Sequence, residues 1–317
     1  MKVISITEDS VGKAWATAVL EVFFFGEKIK TEYDGPTDFP SRDVTGLIHV
    51  KRPYSKPLRG YEVPIYAHMG DLYATESIKS KYLEEIVDGI HDHEIGEGPS
   101  FPYTYHDRIT NYRWKSTEDG LSPNLLEEPV DQIKYMINKL KSNGYSRRAQ
   151  AVTWRAHTDP GSVDPPCLQR LWARIVNGKL VFETTWRSRD LFKAWGANVN
   201  GMLAWAKKIT DQLDVDLDCY VDFSNSLHIY GKKKVVIEVT DFIERLMKRH
   251  SKKYDSKYLD AFEEFQTTKF YQLYSKKSDL QRLLSRLGEH EKEDQNQLTT
   301  EIQDILDEIG ELSSYNG

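Results

Sequence analysis

Cys167 stands in the run DPPCLQ, behind two prolines that fix the backbone and ahead of a strand-like stretch, so its thiol is offered at a strand edge rather than sunk in a helix. A thiol so placed is a candidate nucleophile, although a lone cysteine also suits a core as a small apolar residue. Cys219, inside the apolar alternation CYVDF, reads as the buried kind. Arg147 and Arg148 are adjacent, and Arg187 lies in WRSRD. Guanidinium groups grip an oxyanion in fork geometry, whereas an arginine pair alone on a surface is simply solvated. His228 and Tyr230, two apart in SLHIYG, fall on one face of a strand, where they can be satisfied polar side chains. Glu84 and Glu85 are adjacent, and an exposed pair of this kind is usually only solvent-facing. Asp88, His91, His93 and Glu94 crowd into DGIHDHEIGE, but residues two apart on a helix face different sides. A charged, solvated segment accounts for them better than a metal site, and no metal is expected.

These residues need a scaffold that mixes helix and strand. A short strand, VISI, precedes an amphipathic helix over Val11–Phe25, with Gly26 as its stop. Residues 31–56 are rich in Pro, Gly and Asp around a short strand, GLIHV, and read as loop-rich surface. Helical character returns over 78–95. The aromatic, turn-rich segment 97–112 suits a substrate-lining loop, and a helix follows over 129–140. AQAVTW, QRLWARIV and LVFETTWRS read as strands, the last two joined by the hairpin signal Asn177-Gly178. A helix over 197–213 leads to strands CYVDFSNSLHIY and KVVIEV. The class is α+β with a largely antiparallel or mixed sheet. From about residue 252 two amphipathic helices are expected, one with Leu280, Leu283, Leu284 and Leu287 in its stripe, the other with Ile302, Ile305, Leu306, Ile309 and Leu312.

At 317 residues with 39% hydrophobic content, the chain can bury the core of one large domain, or of one domain plus a smaller appendage. The division expected is a catalytic domain over 1–250 and a helical extension over 251–317. The net charge of −6 is interspersed, which gives no footprint for duplex nucleic acid. With two cysteines, no charged-then-apolar leader and no run of about 18 apolar residues, a reduced, cytoplasmic protein without a membrane span is expected.

Taken together and in order, SRRAQAVTW at 146–154, DPPCLQ, WRSRD, Asn198 and SLHIYG at 226–231 resemble the thymidylate synthase family. AWATAVLEVFFFG, YTYHDRI and DQI at 131–133 look like its shorter archaeal-type branch, and the resemblance stops near residue 250. It implies a methyltransferase that converts dUMP to dTMP by addition of the Cys167 thiolate to C6 of the uracil, which makes C5 able to attack a one-carbon electrophile. The donor implied is 5,10-methylenetetrahydrofolate or methylene-tetrahydromethanopterin. Arg187 and Ser188 would bind the phosphate, with Arg147 and Arg148 reaching across a homodimer; Arg42, in SRDVTG, is a further candidate by position. Arg187 beside Cys167 would lower the thiol pKa. His228 and Tyr230 would hold the sugar 3′-hydroxyl, Asp190 the pterin ring, and Tyr105 with Glu84 or Glu85 would serve proton transfer. Asn198 favours uracil, because one amide both donates and accepts, whereas Asp would suit cytosine.

The chain departs from the family at His106, where many members have glycine, at AWGAN before the key asparagine, and in its helical end. If water intercepts the intermediate, the product is a 5-hydroxymethyl nucleotide, the alternative activity. A non-catalytic nucleotide-binding homologue is the other.

Overall fold

In the computed structural model, which describes residues 1–55, 82–96, 102–113, 128–286 and 292–314, the elements follow in the order Val3–Glu8 (β1), Val11–Phe25 (α1), Glu27–Ile29 (β2), Ser41–Val50 (β3), Tyr82–Asp88 (α2), Tyr105–Thr110 (α3), Gln132–Ser142 (α4), Gln150–Val152 (β4), Leu168–Val176 (β5), Lys179–Asp190 (β6), Trp195–Leu213 (α5), Asp216–Ile229 (β7), Lys233–His250 (α6), Ser256–Gln266 (α7), Lys269–Leu284 (α8) and Lys292–Ser314 (α9). Residues 78–81, 97–101 and Leu287, which figured in the expectations above, lie outside the described residues.

Asn177 and Gly178 take positive φ, 50° and 77°, as a two-residue hairpin of matching twist requires, and fold β5 onto β6 antiparallel. The seven strands form one mixed sheet in the order β1-β3-β7-β6-β5-β4, with β2 on the first residues of β3. β1 runs parallel to β3, and α1 lies between them in sequence, as a parallel crossover demands. The fold is thus α+β, as the sequence implies.

The chain divides into two compact units: one of 3–18 and 44–227, the other of 1–2, 19–43 and 228–317. The first holds most of the sheet together with α2 to α5. Its core includes Trp15, whose indole donates to the Leu191 carbonyl at 2.7 Å, and Trp186, Trp195 and Tyr220, all essentially unexposed. Helix α4 starts where Asp131 accepts the Lys134 N–H, and buries Ile133, Met136, Ile137 and Leu140 on one face. Each such side chain contributes roughly 1.5–3 kcal/mol by leaving water. Gln132 on this helix donates to the carbonyls of Arg108 and Val152 and accepts the Val152 N–H, tying α3 to β4.

The second unit holds the end of α1, β2 and helices α6 to α9. An aromatic cluster fills it: Phe265 lies 5.2 Å from Phe23, 5.4 Å from Tyr271 and 5.9 Å from Phe270, ring centre to ring centre. Residues 251–317 belong to this unit together with 228–250.

Several local expectations change: within 97–112, read as a loop, Tyr105–Thr110 is a helix. KVVIEV begins helix α6 rather than a strand, because Val235, Val239, Phe242, Ile243, Leu246 and Met247 form one buried helical stripe that outweighs β-propensity. The segment around GLIHV is a ten-residue strand inside the sheet, with Val44, Ile48 and Val50 buried, rather than loop-rich surface. Among the described residues the end of the chain makes three helices, not two. Ile302, Ile305 and Ile309 are buried as expected, but α8 buries Tyr271, Tyr274 and Lys277 while Leu283 is exposed. No helix among the described residues is long and apolar enough to cross a membrane.

Candidate active site

Cys167 immediately precedes β5, and a register irregularity follows it at once: Leu168 faces Trp186, yet Arg170 faces Thr185. The extra residue re-aims the chain at this end of the strand. The hydroxyl oxygen of Tyr105 accepts the backbone N–H of Cys167 at 3.2 Å and of Leu168 at 3.3 Å. From the other side, Arg187 donates through Nε to the Pro166 carbonyl at 3.1 Å and through Nη2 to that of Pro165 at 2.6 Å, and its backbone N–H donates to the Cys167 carbonyl at 2.9 Å. Two of the five guanidinium donors are thereby spent on the cysteine turn, and three remain.

Tyr105 is itself well placed because α3 is anchored. Arg108, one turn on, makes a buried fork to Asp159 at 2.8 and 3.0 Å. The Tyr105 ring meets Trp186 edge-on at 5.9 Å and Tyr103 at 5.5 Å. His106 pairs with Asp92 at 2.6 Å and stacks on Trp205. A side chain at Gly89, whose φ is +66°, would collide with it.

Half-buried Cys167 has its thiol pushed up by burial; Arg187 and, more weakly, Arg189 pull it down, and Asp164 raises it. Arg187 thus lowers the thiol pKa as expected, while burial raises it by more. Burial also raises Tyr105 well above the ordinary phenol range.

The two glutamates separate. Glu84 is exposed, whereas Glu85 is half-buried and raised by burial, with Glu94 and Asp92 pushing it further up and His91 opposing. Glu85 also adds to the field at Tyr82, whose hydroxyl takes a hydrogen bond from Asn198 Nδ2 at 2.5 Å. The Asn198 oxygen accepts from Arg189 Nε at 3.2 Å.

Ser188 is half-buried on β6. Arg147 and Arg148 are exposed, with no side-chain partner among the described residues. Asp190 accepts the N–H groups of Phe192 and Lys193 at 3.0 Å each, so its carboxylate is fixed at the end of β6. A fixed, half-buried carboxylate matches the N–H edge of a reduced pterin, so this residue fits the implied cofactor.

Arg42, His228 and Tyr230 belong to the other unit. The His228 and Tyr230 rings meet edge-on at 4.6 Å. Arg42 and Tyr230 line a cavity of about 440 Å³ with Lys28, which sits opposite Arg42 across the β2–β3 ladder, and with Phe265 and Phe270 of the helical end. Burial lowers the Arg42 guanidinium, and it has no ion-pair partner among the described residues.

Sequence reasoning passed over Tyr82 and Arg189. Buried positions alternate on β6 at 180, 182, 184 and 186 and then skip to 189, a change of phase that strict alternation does not foresee. Tyr82 opens a helix that carries no motif. Among the described residues no three His, Cys, Asp or Glu converge as metal ligands; His91 pairs instead with Glu94 at 2.6 Å.

The sequence model of the thymidylate synthase family matches residues 90–302 of this chain, past the point near 250 where the motif resemblance stops. A "putative thymidylate synthase" of Methanocaldococcus jannaschii is 27% identical over 235 residues, covering 72% of this chain and 90% of that protein. One of the same name from Methanothermobacter thermautotrophicus is 27% identical over 233 residues, 71% of this chain and 93% of that protein. A third, from Methanococcoides burtonii, is 32% identical over 130 residues, 41% of this chain and 54% of that protein.

Proposed function

The chain belongs to the thymidylate synthase family, and on that premise we propose that it is a cytoplasmic methyltransferase that converts dUMP to dTMP through a covalent adduct of Cys167. The observation that supports this reading best is the turn at the nucleophile, gripped by the Tyr105 hydroxyl on its N–H groups and by Arg187 on its carbonyls. Such a turn is pre-organised, so little ordering remains to be done when substrate arrives.

The Cys167 thiolate forms its bond to C6 as the C5=C6 pair moves toward the C4 carbonyl oxygen, which leaves C5 nucleophilic. Arg187 favours the thiolate and, with its three remaining donors, takes the substrate phosphate beside Ser188. Arg42, and Arg147 with Arg148 reaching across a homodimer interface, complete the anion site, and His228 with Tyr230 hold the 3′-hydroxyl. Asn198 reads the uracil edge. Glu85, whose carboxyl is raised by burial, is the glutamate suited to lend and recover a proton. A methylene-tetrahydropterin, of folate or methanopterin type, supplies the one-carbon electrophile and the hydride when bound, and Asp190 would hold its ring. Loss of the C5 proton would free the one-carbon unit from its donor, and hydride arriving at that carbon would push an electron pair through C5, break the bond from sulfur to C6 and restore Cys167.

Mass spectrometry of the product from dUMP and methylene-tetrahydrofolate, repeated with the methanopterin donor and with dCMP, tests the proposal. A methyl adduct on dUMP is expected. A hydroxymethyl adduct would move the activity to a hydroxymethylase, and binding without conversion by either donor would overturn the catalytic reading.

A further inference from the structure

Arg189 is 2% exposed on β6, and no step of the reaction proposed above employs it as a ligand. Its Nη1 donates to both carboxylate oxygens of buried Asp222, at 3.0 and 3.1 Å, and its guanidinium carbon lies 3.7 Å from the Trp186 ring centre. Its Nε donates to Asn198 Oδ1 at 3.2 Å, while Asn198 Nδ2 donates to the Tyr82 hydroxyl at 2.5 Å. These two contacts differ in kind. A guanidinium only donates, whereas a phenol hydroxyl donates or accepts. Arg189 therefore decides which end of the amide is oxygen, and Tyr82 accommodates either.

We propose that Arg189 is a specificity-determining positioning residue that selects uracil over cytosine by locking the polarity of the Asn198 amide, an inference that rests on the reading of Asn198 as the group facing the pyrimidine. With one lone pair of Oδ1 and one hydrogen of Nδ2 engaged, the amide keeps one acceptor and one donor. They match N3–H and O4 of uracil. Cytosine presents N3 as an acceptor and its amino group as a donor, so it needs the amide turned over. That turn sets the Asn198 NH2 against the Nε–H of Arg189. Asp222 and Trp186 hold the guanidinium in place, so the clash has no easy relief. A buried mispairing of this kind discriminates by roughly 10- to 100-fold.

Dissociation constants of the full-length protein for dUMP and dCMP test this. Arg189→Met with Asp222→Leu removes the buried pair together, leaving no orphaned charge. Arg189→Lys is the conservative companion, because a single ammonium facing Asp222 leaves Asn198 Oδ1 without its donor. In either variant that retains a cooperative thermal transition, the preference for dUMP over dCMP is expected to fall by roughly 10-fold or more. Tyr82→Phe should leave that ratio in place whatever it does to the rate. A merely structural arginine would weaken both nucleotides equally, and an unchanged ratio in the folded variants overturns the proposal. Asn198→Asp separates the two readings: if it fails to shift the preference toward dCMP, the assignment of Asn198 to the pyrimidine edge is wrong, and the role of Arg189 falls with it.

Discussion

The hydroxyl oxygen of Tyr105 is hydrogen-bonded to the backbone N–H of Cys167 at 3.2 Å, so the phenol braces the backbone of the thiol-bearing turn. The same oxygen takes the Leu168 N–H, and the pair of bonds sits where the bulge in β5 begins. Tyr105→Phe leaves two partly buried donors without an acceptor, at about 1–3 kcal/mol. Because the turn would then sample orientations unsuited to attack on C6, kcat is expected to fall by roughly 10- to 100-fold with a smaller change in KM. Steady-state kinetics beside thermal melting checks this; a melting shift with full kcat would make Tyr105 a prop for the fold alone.

Cys167 is the nucleophile of the proposed reaction, and its thiol is held up by burial against the pull of Arg187. A raised thiol pKa means less thiolate at neutral pH, so alkylation of the free protein by iodoacetamide should accelerate about tenfold per pH unit and show no plateau below about pH 9. Arg187→Gln removes the strongest lowering influence, so it should slow alkylation at each pH in that range. Cys167→Ser should lower turnover by at least roughly 1,000-fold while dUMP still binds. An alkylation plateau near pH 7 would mean that the cation outweighs burial after all.

Glu85 is half-buried and its carboxyl is raised, whereas Glu84 faces solvent from the same turn of α2. A raised carboxyl retains its proton to higher pH than an ordinary glutamate, so the protonated form is lost as pH climbs through its folded value. Glu85→Gln is expected to reduce kcat by roughly 100-fold and to abolish the limb of the pH profile that this group controls. Glu84→Gln should cost much less. Equal losses from the two substitutions would assign the proton to neither.

How far the sequence carries the structure depends on whether a signal is local. The helix over Val11–Phe25 and the Asn177-Gly178 hairpin were legible because apolar spacing and turn chemistry act within a few residues. KVVIEV misled because its β-branched residues say nothing of the helical stripe that continues to Met247. Of the candidate site, Cys167, Arg187 and Asn198 stood in recognisable motifs. Tyr82 did not, because its partner Asn198 is 116 residues away and only the fold joins them. Nor did the balance of charge at Cys167, since desolvation is a property of packing and cannot be read from the adjacent letters.

Gly231 closes the SLHIYG motif, and its place is set by backbone rather than by side chains. A Cβ there would lie 1.6 Å from the Phe39 carbonyl oxygen and 2.4 Å from its carbon. The segment it meets cannot easily retreat: the Phe39 N–H donates to the Gly231 carbonyl at 3.0 Å, and the Gly231 N–H donates to Ser41 Oγ at 3.3 Å. Moving either strand end would break these bonds and disturb Pro40 and Arg42, which line the cavity with Tyr230. Gly231→Ala is therefore expected to destabilise the protein by roughly 3 kcal/mol or more, above the usual range for one added methyl group in a core. Urea unfolding measures it. A loss below about 1 kcal/mol would show that the segment before β3 yields, and that Arg42 and Tyr230 owe their positions to something other than this close approach.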